Sequence, residues 1–191
     1  MNEHEVLITL AKKFGDFTEK EIQQIKELFT VKNVEKNEIL LHSGEVCNHL
    51  YFVVKGIVRT FHLNANGTEF TRLIRSENQF CTVLLSFLEK KPSVANIQAL
   101  EKGTLLLIKQ EDFRKLIAES ETAKSIYTKI LEDFENFHLR RLEFLTSYPP
   151  KEKTEIFLKD YASIEPRLTD KVIASYLQIS PETYCRCKKS I

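Results

Sequence analysis

The chain has 191 residues, 42% of them hydrophobic, enough for one large or two small packed domains and too apolar for a disordered polymer. Lys and Arg number 28 against 27 Asp and Glu, and a net charge of +1 excludes a polycation. The longest purely apolar run, Leu50–Val54, falls far short of the roughly 20 residues of a membrane helix.

The acidic start, Met1-Asn2-Glu3-His4-Glu5, lacks the regions of a secretion signal. Residues 18–29 predict a short helix. Thr18 and Glu21 have capping-box spacing, and Ile22, Ile25 and Leu28 follow a helical period. The period then changes to strand type over Ile39–His42, Leu50–Val54, Ile57–Leu63, Phe70–Ile74, Val94–Leu100 and Thr104–Ile108. Ile57, Arg59, Phe61 and Leu63 share one face of their strand, and Asn66-Gly67 predicts a type I′ hairpin turn. All five glycines lie at or before Gly103, so the first 110 residues read as turn-rich and the rest as helical. Short strands at this spacing predict an antiparallel double-sheet roll rather than a βαβ fold.

A short helix is predicted near Asp112–Ala118 and a long one from about Ala123 to Thr146. Ile126, Ile130, Phe134, Phe137 and Phe144 lie near one seam of the long helix, widened by Tyr127, Leu131, Leu142 and Leu145. The stripe serves either packing on its own domain or a symmetric helix–helix dimer. Pro149-Pro150 marks a boundary. Before it the chain carries 20 basic and 21 acidic residues, a net of −1; from 151 to 191 it carries 8 and 6, a net of +2.

The most specific stretch is DKVIASYLQISPETYCRCKK, Asp170–Lys189. Ile173, Ala174 and Leu177 form the inner face of one short helix, with Ala174 where two helices approach closely. Gln178-Ile179 makes a turn, and Ser180 and Pro181 suit the N-cap and first turn of a second helix. Tyr184 and Cys187 face inward, leaving Glu182, Thr183, Arg186 and Lys189 outward, as on a recognition helix. Arg186 suits a bidentate contact to guanine, and Thr169 and Lys171 suit phosphates. The plainer alternative is two packed helices with a solvated basic end. Gln178 occupies a left-handed position that usually prefers glycine, a departure that costs roughly 1 kcal/mol.

With these elements the chain resembles the Crp/Fnr family of transcription regulators over nearly its whole length. HSGEVCNHLYFVVKGIVRTFHLNANGTEFTR (His42–Arg72) resembles the family's cyclic-nucleotide-binding-like roll. ISPETYCRCKK (Ile179–Lys189) resembles its recognition helix, whose Glu-Thr-x-x-Arg core stands here as Glu182, Thr183 and Arg186. The whole pattern resembles the short Crp-like regulators of Bacteroidetes. The resemblance implies an α+β chain: a double-stranded β-helix (jelly-roll) sensory domain over residues 1–118, a dimerisation helix over 119–148 and a helix-turn-helix over 149–191. It implies double-stranded DNA and a second copy as partners, RNA polymerase as a further one, a small-molecule effector of unknown identity, no membrane and a cytoplasmic location. Ser180 joins the expected DNA-binding residues.

The sequence also departs from the family. Cyclic-AMP-binding members carry a Gly-Glu-Leu segment and an Arg-Ser-Ala segment. Here Thr82 and Val83 stand where Gly and Glu belong, and Ser93 where Arg belongs. Both charged anchors are gone, so cyclic AMP is not the expected effector. Val83-Leu84-Leu85 fits a hydrophobic ligand or a filled pocket, and Arg59, Arg72 and Arg75 are either solvated or meet an anion. Cys47 and Cys81 are too few for an iron–sulfur cluster. The four cysteines show no paired framework, so reduced thiols are expected; Cys185 reads as groove-facing, with a thiol switch as its alternative. His42, His49 and His62 read as structural or solvated. There is no phosphate-cradling loop, zinc-type Cys/His pair or nucleophile elbow, so no enzyme activity, catalytic residue, metal or cofactor is expected. The family's C-terminal wing has no room after Lys189, whether as a natural short form or a shortened chain. The competing class is a ligand-sensing or protein-interaction dimer without specific DNA binding.

Overall fold

The computed structural model describes residues 2–191. Two N-terminal helices, α1 (Glu3–Ala11) and α2 (Glu19–Leu28), precede the strands. Thr18 and Glu21 form the expected reciprocal cap of α2. The strands are β1 (Thr30–Val34), β2 (Ile39–Leu41), β3 (His49–Lys55), β4 (Val58–Leu63), β5 (Glu69–Arg75), β6 (Phe80–Cys81), β7 (Asn96–Ala99) and β8 (Gly103–Lys109), with helix α3 (Leu84–Glu89) after β6. They form two four-stranded antiparallel sheets, β1-β8-β3-β6 and β2-β7-β4-β5. Phe52, Leu105, Leu106 and Ile108 from one sheet and Leu41, Val58, Ile97 and Ala99 from the other share the first core. Gly103 lies where this roll closes most tightly: a Cβ there would collide with the Lys55 carbonyl oxygen.

Several local expectations are corrected. The β4–β5 turn is not type I′: only Gly67 has positive φ (76°), and Asn66 does not. The chain instead turns through Asn64–Gly67, closed by Gly67 N–H to Asn64 O, while the Asn64 side chain accepts from the amides of Asn66 and Thr68. The Val94–Leu100 strand shortens to β7, leaving Val94 66% exposed. Besides the helix predicted over 18–29, the first 110 residues hold two that were not expected, α1 and α3.

Beyond the roll come α4 (Gln110–Glu119), the 27-residue α5 (Glu121–Ser147), α6 (Pro150–Asp160), a 3-10 turn (Glu165–Arg167), α7 (Asp170–Leu177) and α8 (Pro181–Lys189). The last three helices build a second core around Phe157, Ile173, Leu177 and Tyr184, into which the roll inserts Ile57, Ile74 and Leu100. The roll and the C-terminal helices are thus packed on each other directly. No helix among the described residues is long and apolar enough to cross a membrane.

Candidate functional site

Helices α7 and α8 have the geometry read from the sequence. Ile173, Ala174, Leu177 and Tyr184 are completely buried. Thr169 caps α7 by accepting from Val172 N–H, and Ser180 caps α8 by accepting from Thr183 N–H at 3.1 Å. Gln178 is left-handed (φ 55°, ψ 44°), and its amide and that of Ile179 both donate to the Ala174 carbonyl. Gln178→Gly is expected to stabilise the chain by about 0.5–1 kcal/mol, because a Cβ is disfavoured at this φ. A urea-denaturation midpoint checks this.

The outward face of α8 is polar. Glu182, Arg186 and Lys189 are exposed, and Thr183 is half-exposed beside the Ser180 hydroxyl at 3.1 Å. Neither Arg186 nor Lys189 forms an ion pair among the described residues, whereas neighbouring Lys188 is held by Glu165 (2.6 Å) and Asp170 (3.8 Å). Cys187 is half-buried. The Cys185 thiol sits 3.5 Å from an Asp170 carboxylate oxygen; desolvation and that carboxylate push its pKa up, which suppresses the thiolate a redox switch needs.

One face of α7, carrying Lys171 and Ser175, lies against the roll. The Ser175 hydroxyl accepts from Thr71 N–H (2.8 Å) and lies 2.7 Å from the Thr71 hydroxyl. Lys171 is exposed, with its ammonium 3.7 Å from Glu69. Arg167 bridges Glu77 (2.6 Å) and Glu101 on the roll. The Arg167 guanidinium, helped by the Gly56 amide, holds the Glu77 carboxyl down at about 2. Arg59 is neither solvated nor free for an anion: it is 4% exposed and bonds Gln98, Thr71 and Glu69. Ile57, Arg59 and Phe61 do share a face, and it is the face turned to the C-terminal helices. Arg167 and Ser175 carry no sequence signal, because their partners on the roll lie 66 to 104 residues away.

The residues expected at an effector pocket are spent locally. The Thr82 hydroxyl donates to His49 O (3.1 Å). Val83 precedes α3 without a side-chain cap. Ser93 is 3% exposed and both donates to and accepts from the backbone of Ala95. Thr82 lines an apolar groove of about 420 Å³ between the roll, α1, α4 and α5; Val83 and Ser93 do not. Four of the five seam residues, Ile126, Ile130, Phe134 and Phe137, line the same groove, while Phe144 packs against the second core. Leu139 and Leu142 are each 62% exposed on α5. Among the described residues no group of three or more His, Cys, Asp or Glu is placed to hold a metal ion.

Residues 31–120 match the family model of the cyclic nucleotide-binding domain. FixK2 from Bradyrhizobium japonicum superposes with a TM-score of 0.75 at 18% identity, over 85% of this chain and 83% of that one. A protein described as a Crp/Fnr-family transcriptional regulator from Eubacterium rectale gives 0.74 at 19% identity, over 92% and 83%. CLP, the c-di-GMP-responsive global regulator of Xanthomonas campestris, gives 0.73 at 16%, over 91% of each chain. No curated protein sequence matches. Residues 31–120 thus fit a cyclic nucleotide-binding domain, and the chain as a whole shares the fold of these three regulators.

Proposed function

We propose that the chain is a homodimeric, cytoplasmic, sequence-specific DNA-binding transcription regulator that cyclic AMP does not control. The carrying observation is the outward face of α8, where Arg186 and Lys189 stand unpaired beside Glu182 while Tyr184 anchors the opposite face. In this reading Arg186 reads a guanine edge, Glu182 and Thr183 reach neighbouring bases, and Ser180, Thr169, Lys171 and Lys189 approach phosphates. Residues 1–118 sense, 119–148 dimerise and 149–191 bind DNA. RNA polymerase is the further partner in this reading.

The length of α5 and its exposed Leu139 and Leu142 support a second copy as partner. A two-fold dimer requires half-sites about 10 bp apart or a multiple of it. A signal at the roll acts by shifting populations: it changes how the α5 helices pack and thereby the spacing of the α8 helices. The local spending of Ser93 and the lack of a charged anchor at Val83 argue against cyclic AMP.

Selection of random duplex DNA by the purified protein tests this reading. The wild type is expected to enrich a two-fold symmetric site, unchanged by added cyclic AMP. Arg186→Ala is expected to lose about 1–3 kcal/mol per half-site and to relax one base position. Absence of enrichment, together with binding to no duplex at any salt, would favour the ligand-sensing or protein-interaction dimer.

A further inference from the structure

Helix α5 buries one side chain almost completely, and that side chain is a cation. Arg141 is 8% exposed. Its guanidinium carbon stands 3.7 Å from the ring centroid of Tyr176 in α7 and 5.3 Å from that of Phe144. Nη2 donates to the Tyr176 carbonyl. Nε and Nη1 have no hydrogen-bond partner among the described residues, so no carboxylate neutralises the charge. Lys153 in α6, itself buried and within reach of the Arg141 charge, is another cation. Burial pulls the Arg141 pKa down.

Tyr176 belongs to an aromatic cluster. Its hydroxyl lies 2.7 Å from that of Tyr161, and the Tyr161 ring stacks on Phe157 at 4.7 Å and 11°. Arg141 therefore reaches from the long helix into the aromatic centre of the C-terminal unit. A helix needing only adhesion would place leucine or methionine here, since an unpaired buried cation is costly. The arginine supplies direction. Its plane is fixed by the Tyr176 ring, and its donor by a carbonyl in the last turn of α7, the negative end of that helix. Together these fix both the rotation of α7 about its axis and its height along α5.

We propose that Arg141 is a positioning residue that sets the orientation of the helix-turn-helix on the long helix, and through it the half-site spacing the dimer accepts. This rests on the reading of the chain as a DNA-binding homodimer.

The test compares wild type, Arg141→Met and Arg141→Lys on the selected two-half-site duplex and on a duplex with one half-site. In Arg141→Met the advantage of two half-sites over one is expected to fall about tenfold or more, because two modules bind jointly only when their geometry matches. Affinity for one half-site stays within about twofold, since that contact needs no fixed orientation. Arg141→Lys, which keeps the charge and a donor, is expected to restore part of the advantage. An unchanged advantage in Arg141→Met overturns the proposal, as does a parallel fall on both duplexes with lower thermal stability. A second measurement needs no DNA. With Cys185 and Cys187 changed to serine, spin labels on Asn66→Cys and Ser190→Cys report the distance between roll and α8. A narrow distribution that broadens in Arg141→Met, with amide protection in α6–α8 retained, supports the proposal; an unchanged one overturns it. A wild type that binds no duplex counts against the DNA reading and leaves this distance test decisive for Arg141.

Discussion

Tyr184→Ala is expected to cost about 3–5 kcal/mol and to melt the last three helices away from the roll. The ring is completely buried in the second core, between α8 and the helices beneath it. Alanine leaves a void there that helices of 8 to 11 residues cannot close. The first core lies within the roll and its flanking helices and contains none of these residues. Amide exchange in Tyr184→Ala should therefore show lost protection over α6–α8 with β3 and β8 still protected. Loss over the whole chain would instead mean that Ile57, Ile74 and Leu100 make the two cores one cooperative unit. Tyr184→Phe is expected to be nearly neutral, because the phenol meets Glu165 only at 3.5 Å.

The helix-turn-helix was legible because its signals are local. A cap, a proline at the first turn, a small residue at the crossing and inward positions at helical spacing all fall within 20 residues. The strands of the roll were legible for the same reason, through alternation. β1 escaped because only Val34 of its five residues is buried, so an edge strand shows no alternation. α1 escaped because Leu7 and Ile8 are adjacent, which is no helical stripe. The Asn-Gly pair after β4 marks the hairpin but not its turn type, because Asn64 and not Asn66 supplies the organising side chain. Arg59 and Arg141 looked solvated or went unnoticed for a deeper reason. An arginine is buried only when the rest of the fold brings partners to it, and those partners are scattered through the chain. Arg59 ties β4 to β5 and β7, and Arg141 meets α7 from α5; contacts between elements so far apart in the chain leave no local pattern.

Arg59→Ala is expected to destabilise the chain by about 2–4 kcal/mol at pH 7, toward the lower part of the range for breaking a buried ion pair because Glu69 keeps some contact with water. The guanidinium lies over Phe61 with its carbon 4.2 Å from the ring centroid, and donates to Gln98 at 2.9 Å, Thr71 at 3.1 Å and Glu69 at 2.7 Å. Thr71 is the same residue that meets Ser175 of α7, so the loss loosens the seat of the helix-turn-helix as well as the sheet. The sign with pH follows from Glu69. Burial raises its pKa, but the hydrogen bond and charge of Arg59 more than offset that, and the net shift is downward. A carboxyl held low in the folded state contributes stability above its unfolded pKa of about 4.3 and loses that contribution as pH falls through the folded value. The gap between wild type and Arg59→Ala in urea denaturation should be full at pH 7 and shrink below about pH 4. Arg59→Met with Glu69→Leu should recover much of the loss, since removing both charges leaves neither unpaired. A gap independent of pH, or a double variant no better than Arg59→Ala, would mean that the packing of Arg59 on Phe61, and not the ion pair, ties the sheet to α7.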